Sequence, residues 1–307
     1  MKIQEENSMS EFEGKVVVIT GAGGGLGKAH ALEFARLGAK VVVNDLGGSV
    51  DGSGDGDMAD KVVAQIKDAG GDAIANKASV SDREGAKSIV TDAIDAYGTI
   101  DILVNNAGIL RDKSFKNMTL DEWDLVISVH LNGTAYVTHA AWPIMYEKNY
   151  GRIVFTSSGS GIWGNFGQSN YGAAKMGMLG LMNVLALEGA SHNIKTNCLA
   201  PGAATRMTSN LPGRDTFDPD EPPAERAPSL VTPAVIYMCS EEAPTGRVFQ
   251  AASGNFSTAA MYANDGARLG EDASFETFLE NLETITDMSK AEDGIARRKR
   301  QRAQRSS

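Results

Sequence analysis

The sequence predicts an α/β fold, a doubly wound parallel sheet in a single domain with a C-terminal helical extension. Three observations carry this. Apolar, mostly β-branched runs recur along the chain: KVVVIT (15–20), KVVVND (40–45), IDILVNN (100–106), RIVFTSS (152–158), KTNCLAP (195–201) and VFQAAS (248–253), with a weaker seventh at 72–80. Runs of this kind suit strands covered on both faces. Segments of helical period lie between them, the alternation that a parallel sheet with crossover helices requires. A glycine-rich turn also joins the first run to the first helical segment.

That turn reads GAGGGLGKAHALEFARLGA after KVVVIT. The spacing G-x-G-x-x-G fails, because Leu26 stands where the third glycine would follow Gly21 and Gly23. T-G-x-x-x-G-x-G fits, with Thr20, Gly21, Gly25 and Gly27. One glycine makes the turn, one lets the backbone approach a pyrophosphate, and one lets the helix pack closely. The free N–H groups of the new helix then face the phosphates. This is the Rossmann-type arrangement for a dinucleotide. Asp45 closes the second run, where a carboxylate accepts hydrogen bonds from the adenosine ribose. A 2′-phosphate would meet like charge there, and no Arg directly follows to offset it, so NAD is expected over NADP.

The acidic stretch LGGSVDGSGDGD follows. Asp55-Gly56-Asp57 lacks the continuation of a calcium loop. The stretch reads as a flexible connector, with Asp57 or a neighbour capping the next helix. Met58, Val62, Val63, Ile66 and Ala69 give that helix its apolar face. Ala86, Ile89, Val90, Ala93, Ile94 and Tyr97 do the same for the one after. Thr119 and Glu122 have the spacing of a capping box.

Residues 156–175 read TSSGSGIWGNFGQSNYGAAK. Tyr171 and Lys175 are spaced Y-x-x-x-K, which puts both on one face of a helix. A Lys ammonium there is expected to lower the phenol pKa, so that Tyr171 acts as acid to a carbonyl or base to an alcohol. Ser158, at the end of its strand, is placed to bind the same substrate oxygen.

Seven of the nine prolines fall between 201 and 233 (Pro201, Pro212, Pro219, Pro222, Pro223, Pro228 and Pro233), which excludes a long regular element. A substrate lid at the carboxyl edge of the sheet is expected there. Phe275, Phe278, Leu279, Leu282, Ile285 and Met288 form one helical stripe, read as core packing with a dimer contact as the lesser alternative. The arginine-rich segment after it is read as a solvated tail. The expected divisions are a tail at 1–13, the dinucleotide domain at 14–265, and the helical extension with its basic tail at 266–307.

Composition sets outer bounds. Of 307 residues, 42% are hydrophobic and 22% charged, which is ordinary for a globular chain. A net charge of -10 argues against nucleic acid as partner. No run reaches the length of a membrane span, the polar N-terminus is no signal peptide, and the final RSS is no peroxisomal address. Cys198 and Cys239 read as buried free thiols rather than a disulfide or metal site. A reducing cytoplasm is therefore the expected compartment, and no metal is expected.

The motifs together resemble the short-chain dehydrogenase/reductase family from about residue 14 to 255: TGAGGGLG, Asp45, NNAG (Asn105–Gly108), Ser158, Tyr171, Lys175 and APG (Ala200–Gly202). The resemblance implies a cofactor cleft lined by Gly21, Gly25, Leu26, Gly27 and Asp45. Ser79 and Val80 would lie near the adenine, followed by Asn106, Ala107, Gly108, Tyr171, Lys175, Pro201, Gly202 and Thr205. It also implies a homodimer or homotetramer paired through the helices that follow NNAG and carry Tyr171. VVVNDLGG, NNAGILRDKSF, HLNGT and the Ser158–Lys175 segment resemble more narrowly the dehydrogenase units of multifunctional enzymes type 2, which oxidise (3R)-hydroxyacyl-CoA with NAD and act on 17β-hydroxysteroids. After residue 255 the sequence holds a short helical tail in place of their hydratase and sterol-carrier domains. One departure stands out. The wider family has an Asn in a V-N-x-x-G pattern in its proton relay; here Val129-His130-Leu131-Asn132-Gly133 puts His130 at that place. His130 is accordingly expected in the relay, with a hydrogen-bonded packing residue as the alternative. For the whole chain the alternatives are a dehydrogenase of acyl-CoA, one of free steroid alcohols, and a non-catalytic NAD-binding sensor of redox state.

Overall fold

A computed structural model describes residues 11–47, 56–209 and 216–305. Most of the acidic connector, Pro212 and the two final serines lie outside the described residues. The chain forms two compact units, one running to Thr258 and one from Ala259 onward.

The first unit holds an eight-stranded sheet in the order β3-β2-β1-β4-β5-β6-β7-β8. Its strands are β1 Val16–Thr20, β2 Lys40–Asn44, β3 Asp72–Asn76, β4 Ile102–Asn105, β5 Gly151–Thr156, β6 Ile194–Gly202, β7 Val248–Ala252 and β8 Asn255–Ala259. All seven expected runs are strands, and β1 to β7 pair in parallel, with Val18 opposite both Val42 and Leu103. Every residue of β1, β4 and β5 is buried, because helices cover both faces. The strand β8 had no clear signal. It is an edge strand with an exposed face, joined to β7 by Ser253-Gly254, both at positive φ as a two-residue hairpin requires.

The helices are α1 Gly25–Arg36, α2 Met58–Asp68, α3 Arg83–Tyr97, α4 Leu120–Ile127, α5 Gly133–Glu147, α6 Gly159–Trp163, α7 Ser169–Glu188 and α8 Thr232–Cys239. α1 packs with α2 and α8, while α3 packs with α5 and α4 with α7. The two apolar stripes read from sequence bury Val62, Val63 and Ile66 of α2 and Ala86, Ile89, Val90 and Ala93 of α3. Thr119 and Glu122 close a full capping box on α4. Asp57 takes the N-cap position of α2 but caps nothing. Its carboxylate pairs with Lys61 one turn on, at 2.9 Å. From 216 to 231 the described residues hold only two single-turn 3-10 helices, and Pro233 enters at the start of α8, where its missing N–H costs no bond.

The second unit departs from expectation twice. The apolar stripe is not one helix but two, α9 Phe275–Glu280 and α10 Leu282–Thr286. Asn281 separates them, and its amide donates back to the Thr277 carbonyl at 2.8 Å. Phe275, Phe278, Leu279, Leu282 and Met288 are exposed rather than packed in a core. The basic segment is the helix α11 Gly294–Arg305, not a loose tail. Acidic residues earlier in the chain hold it: Arg300 forks onto Asp265 at 3.0 Å, Arg297 reaches the same carboxylate, and Glu292 also pairs with Arg300.

Candidate active site

The strand order reverses between β1 and β4, so their carboxyl ends diverge into a cleft, the position at which doubly wound sheets take ligands. The cleft is assembled by backbone bonds across that gap. Thr20 Oγ1 accepts from the N–H groups of Asn106 and Ala107, both at 3.0 Å, and Asn106 Nδ2 donates to the carbonyls of Thr20 and Gly21. Gly21 sits at φ +63, and a Cβ there would lie 2.7 Å from Ala107 Cα. At Gly27 a Cβ would lie 2.3 Å from the Gly21 carbonyl, so the helix packs against the turn only as glycine. The helix α1 has no side-chain cap and no acidic residue in its first turn, which leaves its first N–H groups free for an anion. A dinucleotide pyrophosphate fits these residues.

Asp45 follows β2 directly and is buried. Its Oδ2 accepts from Gly23 N at 2.8 Å and its Oδ1 from Gly47 N at 2.7 Å. A carboxylate has further lone pairs, so it remains an acceptor for ribose hydroxyls. Ser79 and Val80 line the same cavity, as do Asp45 and Leu46.

Ser158, Tyr171, Lys175 and His130 line this cavity together with Gly21, Gly25, Leu26, Asn106, Ala107, Gly108, Pro201 and Thr205. Gly27 stands behind it as packing, and Gly202 faces an adjoining pocket shared by Ser158, Tyr171, Pro201 and Thr205. Tyr171 is positioned from its own helix start. Asn170, buried, accepts from Tyr171 N at 2.7 Å and donates to the carbonyls of Arg111 and Glu122. Gln168 ties the same end of α7 to Asp112, Ser160 and Asn165. The Ser158 hydroxyl accepts from Ser160 N at 3.1 Å and lines the cavity beside the Tyr171 phenol. Lys175 Nζ lies 5.3 Å from the Tyr171 ring centre and donates to the Thr156 carbonyl.

The electrostatics differ from the sequence expectation. Lys175 does not lower the phenol in this structure. Burial pushes Tyr171 up to about 12, against the influence of the neighbouring Ser158 hydroxyl, and the charge of Asp112 adds to the rise. Lys175 itself is brought down to about 7 by burial. Both groups are buried, and desolvation of each outweighs their mutual effect.

His130 sits in a π turn, Ser128–Asn132, between α4 and α5. The extra residue of that turn aims the imidazole at Gly108, where a Cβ would lie 2.3 Å from its Cε1. Its Nε2 is 2.7 Å from the Ile109 carbonyl and 3.0 Å from the Ile109 N–H, so either tautomer is held. The ring stands edge-on to Tyr171 at 5.0 Å, burial keeps it neutral, and Nδ1 has no partner among the described residues. Sequence reasoning missed the roles of Gly23, Asn170 and Gln168, and it missed Arg206, which also lines the cavity. Only the first had a visible signal, in the run of three glycines that it opens, Gly23 to Gly25. Cys198 and Cys239 are buried and free, as read.

Comparison with known proteins agrees with this architecture. A family model described as short chain dehydrogenase matches residues 15–215. The chain belongs to the short-chain dehydrogenase family and is an oxidoreductase. It is 48% identical over 285 residues to a short-chain type dehydrogenase/reductase of Mycobacterium tuberculosis, covering 92% of this chain and 98% of that one. It is 46% identical to the peroxisomal multifunctional enzyme type 2 of Mus musculus over 91% of this chain but 38% of that protein. It therefore spans well under half of that longer relative. A crystal structure of a short chain dehydrogenase from Mycobacterium avium superposes with a TM-score of 0.77 at 37% identity, covering 90% of this chain and 97% of that one. The full-length multifunctional enzyme type 2 of Drosophila melanogaster gives 0.75 at 39% identity, covering 95% of this chain and 49% of that one.

Proposed function

We propose that this chain oxidises the secondary alcohol of a (3R)-3-hydroxyacyl-CoA to the 3-ketoacyl-CoA, with NAD as oxidant. The observation that carries the reading is one cavity lined by both the glycine turn and Ser158, Tyr171 and Lys175. The multifunctional relatives support the acyl-CoA substrate, and Asp45 beside the glycine turn supports NAD.

In the reaction the substrate hydroxyl bonds Ser158 and Tyr171. The O–H bond yields its proton to the Tyr171 oxygen, while the C–H bond yields hydride and the C–O bond becomes a carbonyl. When bound, NAD would supply the hydride acceptor, held by the glycine turn, Asp45 and Lys175. Tyr171 must be deprotonated for this step, so its raised pKa has to fall in the loaded site. Lys175, titrating near neutrality, is placed to assist as a cation and to hold the nicotinamide ribose. His130 accepts or donates at Nδ1 as part of the relay, fixed by Ile109. Leu120, Leu125, Met176, Val184 and Leu187 expose apolar surface on α4 and α7 and support pairing through these helices into a homodimer or homotetramer. The two free thiols support a reducing, cytoplasmic setting.

The test is formation of NADH or NADPH from (3R)-3-hydroxyacyl-CoA and from a 17β-hydroxysteroid, each with NAD and NADP. Turnover of the acyl-CoA with NAD is expected to exceed the other three. Preference for the steroid replaces the substrate assignment, and preference for NADP removes the role given to Asp45. An absence of turnover with every pair leaves only the sensor alternative.

A further inference from the structure

The segment after β6 turns sharply at 205–208. Thr208 Oγ1 accepts from Thr205 N at 2.9 Å and donates to the Ala203 carbonyl, and Thr208 N donates to the Thr205 carbonyl. This turn presents Thr205 and Arg206 to the glycine loop. Thr205 Cγ2 lies 3.2 Å from where a Cβ on Gly25 would stand. At Gly24 the nearest atoms to such a Cβ all belong to the Arg206 guanidinium, Nη2 at 3.4 Å and Nε at 3.7 Å. The guanidinium thus lies flat against the residue that precedes the first turn of α1. It lines the same cavity and is half-buried. Among the described residues it has no ion pair and no side-chain hydrogen bond. Asp45, which lines the same cavity, makes its hydrogen bonds to the backbone of Gly23 and Gly47.

We infer that Arg206 is a clamp for the cofactor pyrophosphate, its guanidinium standing beside Gly24 at the start of α1. A planar guanidinium carries a full positive charge and pairs two phosphate oxygens at once, where each backbone N–H gives a single neutral donor. Because Arg206 belongs to the segment that follows Pro201 and Gly202, the clamp also ties the end of β6 to the occupied site. This rests on the dinucleotide reading of the cavity. It adds a cationic side chain that neither the glycine turn nor Asp45 supplies.

The test measures binding of NAD, NADP, ADP-ribose and adenosine to the full chain and to Arg206→Ala and Arg206→Lys, by titration calorimetry with ligand-detected magnetic resonance for adenosine. Arg206→Ala is expected to weaken NAD and ADP-ribose alike, by about 10- to 100-fold, and to leave adenosine unchanged. Arg206→Lys is expected to fall between, since it keeps the charge and loses the fork. Unchanged adenosine binding shows in the same experiment that the variant is folded. The inference is overturned if Arg206→Ala binds ADP-ribose as the parent does. It is also overturned if the loss appears with NADP alone, which would move the residue to a 2′-phosphate. If the parent binds neither NAD nor ADP-ribose, the dinucleotide reading itself falls and the clamp with it.

Discussion

Lys175 is the residue whose surroundings set the sharpest physical demand. It is buried, titrates near 7, and is charged in the unfolded chain up to about 10.4. Between these values the unfolded state binds the extra proton, so stability rises with pH across that window and is flat below it. Removing the amine in Lys175→Met is expected to reduce the slope of unfolding free energy between pH 7.5 and 9.5 by up to about 1.4 kcal/mol per pH unit. Urea unfolding at both pH values checks this, and equal slopes in the two proteins would contradict it. Ser158, Tyr171 and Lys175 were legible in the sequence because strand end and helix face fix them locally. Arg206 was not, since its meeting with Gly24 depends on the path of a proline-rich segment far along the chain. The opposite pKa movement of Tyr171 was not legible either, because burial, not spacing, decides it.

Among the elements, α4 tests how far a local signal carries. Its capping box satisfies the N-cap and N3 backbone groups, with Glu122 N donating to Thr119 Oγ1 at 3.2 Å and Thr119 N donating to Glu122 at 3.0 Å. Thr119→Ala is expected to cost about 1 kcal/mol of stability, read as a lower urea midpoint with unchanged slope; an unaltered midpoint would deny the cap its role. The seven parallel strands were legible for a related reason, their apolar runs being covered on both faces. The strand β8 was not, because an edge strand exposed at four of its five residues needs no apolar run. The π turn at His130 and the break at Asn281 were also silent, since each depends on hydrogen bonds that composition does not show.

For the whole molecule, the exposed apolar side chains on α4 and α7 are unusual for a monomer: Leu120 is 79% and Val184 50% exposed. Light scattering at micromolar concentration is expected to give a dimer or tetramer mass, and Val184→Asp is expected to lower it; a monomer in the parent protein would remove the pairing. The central claim is that Tyr171 exchanges the proton in a hydride transfer whose cofactor lies along the glycine turn. Its most direct test is the NAD-dependent oxidation rate of (3R)-3-hydroxyacyl-CoA by the parent and by Tyr171→Phe, with NAD binding measured alongside. The account predicts that the variant binds NAD as the parent does and loses about 10²- to 10⁴-fold in turnover. A variant that binds NAD and oxidises the substrate at the parent rate would contradict it.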